Sequence, residues 1–144
     1  MGLLDTLGDY LNTITGDEYI DLARSLYNKN DVMQARVGGY SDAFRHLLWT
    51  AEMARKFNPT VAKSISDWHE NVTLPGGILG TAHPLQTEEE KQMDLYNNAL
   101  GIEIGKKSKS YEDTIRLANE AIAKGNVKML DEQFVPRQYT SLFK

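Results

Sequence analysis

The sequence predicts an all-α fold: a compact, single-domain helical bundle of about six to seven helices with one long Gly/Pro loop. Three observations carry that expectation. Apolar residues recur at spacings of three and four along most of the chain, as they do on helices with one buried face. Capping and stopping residues punctuate these stripes at helical lengths. The strict alternation of a half-buried strand is almost absent.

The elements follow in order. Leu3, Leu4, Leu7, Tyr10, Leu11 and Ile14 form a first amphipathic stripe that ends near Gly16. Tyr19, Ile20, Leu22, Ala23, Leu26 and Tyr27 form a second, closed by Asn28-Lys29-Asn30-Asp31. Gly38-Gly39-Tyr40 makes a break, and Ser41 or Asp42 is placed to cap a long helix from Asp42 to Phe57. Asn58-Pro59 stops it and opens a fourth helix to Asn71, since proline at the first helical position has no donor to waste. Val72–Gln86 holds three glycines and two prolines and is expected to be a functional loop. Thr87-Glu88-Glu89-Glu90 reads as a capping box for a fifth helix to about Gly105. Ser110 starts a sixth, and Gly125 is a good left-handed stop. Asn126 is expected to cap a short last helix to about Gln133, followed by an extended tail over Phe134–Lys144.

One domain is expected over residues 1–144, with a helical pair in 1–37 placed to dock on a core of 38–133 and the tail in 134–144. The 144 residues suffice for a core without staples, and the chain has no cysteine, which excludes disulfide scaffolds and thiol chemistry. With 16 basic and 20 acidic residues the net charge is −4, so stable nucleic-acid binding is not expected, although a nuclease with a local patch is not excluded. No apolar run reaches the ~20 residues of a membrane span, and the acidic N-terminal segment does not read as a signal peptide. The expectation is a soluble protein.

Candidate chemistry lies on three helices. Asp42, His46, Trp49 and Met53 share one face of the third helix, with Arg45 adjacent. His69 and Glu70 stand at the end of the fourth. Asp94, Asn98, Gly101 and Gly105 line one stripe of the fifth, with Asn97 beside it. His46, His69, Glu70 and Asp94 are the candidate catalytic residues and equally the candidate ligands of a divalent metal, Zn²⁺, Mn²⁺ or Fe, that would activate water. Without metal, Glu70 would be the acid or base and a histidine the proton relay. Arg45, Asn97, Asn98 and the loop residue His83 are the candidate substrate-binding groups. Each has a plainer reading: a core-margin histidine, a histidine favoured by a helix C-terminus, amides that cross-link helices, glycines that allow close packing. Trp49, Trp68, Tyr40 and Tyr96 could line a sugar or base site, but aromatic residues at helical spacing are more often core.

The order His46, His69-Glu70, Asp94 is loosely similar to the His…His-Asp…Asp pattern of HD-type metal phosphohydrolases, with Glu70 in place of the aspartate and a short spacing to Asp94. A closer resemblance runs from Gly38 to Gly105. Asp42-Ala43-Phe44-Arg45-His46, His69-Glu70 and Met93-Asp94-Leu95-Tyr96-Asn97-Asn98 with Gly101 and Gly105 resemble an uncharacterised small domain of phage proteins and bacterial toxin-like C-termini. That resemblance implies a hydrolase acting on a bacterial cell component, with peptidoglycan, phospholipid and nucleic acid all open; the small acidic chain without a basic stripe suits a cell-envelope polymer such as peptidoglycan better than a phosphodiester substrate such as nucleic acid. The resemblance implies action in the host cytoplasm or virion, or in the periplasm without a signal peptide of its own. The competing expectation is a non-catalytic phage structural or interaction protein, or an inhibitor that inserts the Val72–Gln86 loop.

Overall fold

A computed structural model describes residues 3–27, 39–71, 88–130 and 136–138. Among them the chain forms six helices: α1 Leu3–Thr15, α2 Asp17–Tyr27, α3 Tyr40–Lys56, α4 Pro59–Asn71, α5 Glu88–Lys107 and α6 Tyr111–Ala123. Two short strands follow, β1 Lys128–Leu130 and β2 Pro136–Gln138. The fold is all-α, as the periodicity predicts.

Helix α3 is the axis of the molecule. From Phe44 to Ala54 only Arg45 escapes burial, because α1, α2, α4, α5, α6 and β1 all pack against this helix. Its apolar face meets Tyr19, Ala23 and Tyr27 of α2 and Ala118 and Ile122 of α6 in one continuous core. The Tyr27 and Phe44 rings lie 5.2 Å apart, a favourable tilted contact. Gly16 links α1 to α2 at a φ of 70°, and a side chain there would press on the Trp49 ring. The Trp49 indole N–H donates to the Ile14 carbonyl at 3.0 Å, which ties the end of α1 to α3.

Helices α3 and α5 run in the same direction and in close register. Gly105 meets Ala51 and Ala54, Gly101 meets Leu47 and Thr50, and Asn98 meets His46. A Cβ at Gly101 would stand 2.8 Å from the Leu47 carbonyl oxygen and overlap Thr50 Oγ1. A Cβ at Gly105 would overlap the Ala51 carbonyl and lie 2.8 Å from Ala54 Cβ. The two backbones therefore touch, and the polar residues one and two turns before Gly101 are drawn onto α3.

Two expectations are corrected. The start of α3 is not capped by Ser41 or Asp42: the cap position is Gly39, with no side-chain bond, and Asp42 lies inside the first turn. Its carboxylate is engaged by Arg45 instead. The expected last helix from Asn126 is also absent over 128–130, where β1 pairs antiparallel with β2 in the register Lys128↔Gln138, Met129↔Arg137, Leu130↔Pro136. Val127 and Met129 are both buried with Lys128 between them half-buried, a period of two that favours strand. The extended conformation expected for the tail is present at 136–138.

The caps of α6 match the reading. Ser110 Oγ accepts from the Asp113 N–H at 3.1 Å. Gly125 and Asn126 donate back to Ile122 and Ala121, the paired bonds of a Schellman stop. Thr87, His83 and the whole Val72–Gln86 loop lie outside the described residues.

Candidate functional site

His46 is the centre of the polar cluster, and its two ring nitrogens face different partners. Nδ1 lies 3.0 Å from Asn98 Oδ1. The Asn98 amide donates on its other side to Glu70 Oε1 at 3.3 Å, so its oxygen must be the atom turned to His46. The imidazole proton is thereby assigned to Nδ1, and the lone pair of Nε2 points away from Asn98. It points at two carboxylates: Asp94 Oδ1 stands 3.2 Å away and Asp42 Oδ1 3.7 Å away. The guanidinium of Arg45 shares this position, with one nitrogen 2.9 Å from Asp42 Oδ1 and 3.2 Å from His46 Nε2.

Burial sets the electrostatics. His46 is 2% exposed, Asp94 6% and Glu70 2%. Desolvation, then the neighbouring Arg45 charge, lowers the His46 pKa, so the ring is neutral. Desolvation, followed by the negative charges of Asp42 and Glu70, raises the Asp94 pKa well above the usual carboxylate value. Desolvation works against the Arg45 charge, but Asp42, Asp94 and Glu70 outweigh it and hold the guanidinium more firmly protonated.

Ligand atoms of Asp42, His46 and Asp94 all lie within 4.8 Å of one another. Ligands about 2.1 Å from a shared ion stand about 3.0–3.4 Å apart; the His46–Asp94 spacing of 3.2 Å meets this, and Asp42, 3.7 Å from His46, would close in by a few tenths of an ångström on a divalent cation. One imidazole with two carboxylates is a donor set for Zn²⁺, Mn²⁺ or Fe²⁺. The N–H of His46 on Asn98, held in turn by Glu70, is the outer-shell bond that ligating histidines ordinarily make.

The structure thus brings His46, Asp94 and Arg45 together and adds Asp42. Glu70 and His69 fall on the other side of His46. Glu70 Oε1 is 4.0 Å from His46 Nδ1 and 3.3 Å from His69 Nδ1, and the His69 ring lies edge-on to Trp49. Asn98 bridges His46 and Glu70, whereas Asn97 faces strand β1. Its amide donates to the Lys128 carbonyl and its oxygen accepts from the Lys128 N–H, both at 2.8 Å. Tyr40 and Trp49 are core residues, while Trp68 and Tyr96 are exposed, Tyr96 beneath the Lys128 ammonium.

Asp42 is the residue that the sequence reading left out of the site. Its signal was present, four residues before His46 on the same helix face. Access lies on its side of the cluster: the Arg45 and Asp42 side chains keep 20% and 12% exposure. A separate groove of about 360 Å³ between α4 and α5 reaches Asn98 but is lined by neither Asp42 nor Arg45. A third buried carboxylate, Glu52, is engaged elsewhere. Arg55 grips it at 2.5 and 2.7 Å, and the Thr114 hydroxyl donates to it at 3.1 Å.

These features define an all-helical domain with a buried His/Asp/Arg centre on the seam of two touching helices. The chain belongs to the family described as Domain of unknown function (DUF6973), which it matches over residues 12–128. The match spans every residue of the His46 cluster. No curated protein and no solved structure matches the chain. Among the described residues no helix is long and apolar enough to cross a membrane.

Proposed function

We propose that this domain is a hydrolase that holds a divalent cation on Asp42, His46 and Asp94 and cleaves a phosphoester. The observation that carries this reading is the convergence of those three ligand atoms within 4.8 Å. When bound, such a cation supplies an activated water and polarises a phosphoryl oxygen. Asn98 orients His46, and Glu70 holds Asn98, so both are positioning residues. His69 bonds to Glu70 and packs on Trp49, at one remove from the ligand atoms. Arg45 is the group that favours an anionic substrate, and a phosphoester carries its charge at the reacting centre, where the cation would also act. A guanidinium at the mouth of an otherwise acidic cleft matches two oxygens of a phosphate.

The test is metal content and turnover on one preparation. Protein purified without chelator is assayed for bound Zn, Mn and Fe, and for hydrolysis of bis(p-nitrophenyl) phosphate and of purified peptidoglycan. Near-stoichiometric metal with phosphodiester turnover, both lost in Asp94→Asn, is the expected result. Bound metal with turnover of peptidoglycan alone overturns the substrate assignment. Absence of binding of added Mn²⁺ or Zn²⁺ both in wild type and in Arg45→Met, which frees the Asp42 and His46 ligand atoms, overturns the metal centre.

A further inference from the structure

We infer that Arg45 is a built-in stand-in for the cation: metal binding must displace its guanidinium, and the displaced arginine becomes the anion receptor. The inference rests on the reading of Asp42, His46 and Asp94 as ligands and adds a regulatory step to that site. It comes from a coincidence of atoms. One guanidinium nitrogen of Arg45 lies 2.9 Å from Asp42 Oδ1 and 3.2 Å from His46 Nε2. Those are two of the three ligand atoms of the trio.

A single imidazole lone pair cannot face an arginine N–H and a metal ion together. The Asp42 carboxylate has lone pairs for both, so the conflict is at His46 Nε2, where the arginine N–H lies 3.2 Å away. Either the arginine or the cation holds the site. Arg45 is the partner able to move, because its side chain is 20% exposed while His46 is 2% exposed and bonded to Asn98 at Nδ1. The exchange keeps the carboxylates compensated in both states, so the cluster is never left as three bare acids in the core. Once displaced toward solvent, the guanidinium stands at the mouth of the site with its donors free for phosphate oxygens. Cation first and phosphate second is therefore the order of binding.

The experiment compares wild type, Arg45→Met and Arg45→Lys by calorimetric titration with Mn²⁺, then with inorganic phosphate in the presence of Mn²⁺. Circular dichroism confirms the helical fold of each. Removing the competitor is expected to tighten Mn²⁺ binding about tenfold or more in Arg45→Met and to weaken phosphate binding by a similar factor. Arg45→Lys, with a compact ammonium on a shorter stem, is expected to fall between. Mn²⁺ binding by Arg45→Met alone also supports the stand-in role. Equal Mn²⁺ affinity in wild type and Arg45→Met overturns it while leaving the metal centre intact. Absence of Mn²⁺ binding in all three overturns the metal centre itself. Should Arg45→Met fail to fold, the Arg45→Lys titration decides alone, and an unchanged Mn²⁺ affinity there overturns the inference.

Discussion

The side chain of Asn98 decides which nitrogen of His46 carries the proton. Its oxygen accepts from Nδ1 at 3.0 Å while its amide is held by Glu70. Replacing it with leucine removes the acceptor and leaves both His46 Nδ1 and Glu70 short of a partner in the core. We expect Mn²⁺ affinity to fall about 10–100-fold, the usual cost of losing an outer-shell partner. Asn98→Asp restores an acceptor to His46 but places a second acid against Glu70. Its affinity is expected to be intermediate and, as in wild type, to fall as pH drops toward 5, because Asp94 and His46 must be unprotonated to hold the cation. Calorimetric titration of both variants checks this, and wild-type affinity in Asn98→Leu would show that His46 needs no orienting group.

Asp94 is held at a cost to the fold. Burial raises its pKa above the unfolded value, so its stabilising contribution is complete below about pH 4 and is lost as pH rises through the folded value. At neutral pH an uncharged isostere should be easier to bury. Metal-free Asp94→Asn is therefore expected to melt a few degrees above wild type at pH 7, with the gap closing toward pH 4. Thermal melts in chelator across that range measure it. A lower melting temperature at pH 7 would mean that the Asp94 carboxylate stabilises the cluster rather than straining it.

Glycines in helices of this chain should respond to alanine in opposite directions. At Gly101 an added methyl meets the Leu47 carbonyl, which cannot rotate away, so overpacking of about 1–3 kcal/mol is set against a propensity gain of ~1 kcal/mol. At Gly8 nothing lies within 4 Å, and only the propensity gain remains. Urea unfolding is expected to show Gly101→Ala destabilised and Gly8→Ala stabilised. The same sign for both would mean that the crossing of α3 and α5 relaxes freely.

Much of this was legible in the sequence, for identifiable reasons. The stripes of Tyr19 to Tyr27 and of Phe44 to Ala54 are helical because their apolar spacing permits nothing else. Ser110 and Gly125 act through local bonds, which neighbouring residues alone determine. Strand β1 was not legible, because Val127 and Met129 offer only one alternation and the pairing partner is six to ten residues further on. Asp42 was read as a cap on the His46 face, since a short acid after a glycine pair has that local role; only the position of α5 shows that Asp94 joins the two in one cluster. Asn97 and Asn98 were grouped by adjacency, but neighbours on a helix diverge by about 100°, and only one of them reaches the cluster. Glu52 and Arg55 look like an ordinary surface pair at i, i+3. Burial by α6 is what makes Glu52 an interior charge.

The bare backbone contact at Gly101 and Gly105 also acts as a ruler. A slip of α5 along α3 by one helical turn, about 5.4 Å, would carry Asn98 past His46 and set a larger side chain where only hydrogen fits. Steric exclusion far from any charged atom thus keeps the alignment of the titratable groups. Two residues with no chemistry of their own set the tolerance to which the chemistry is built.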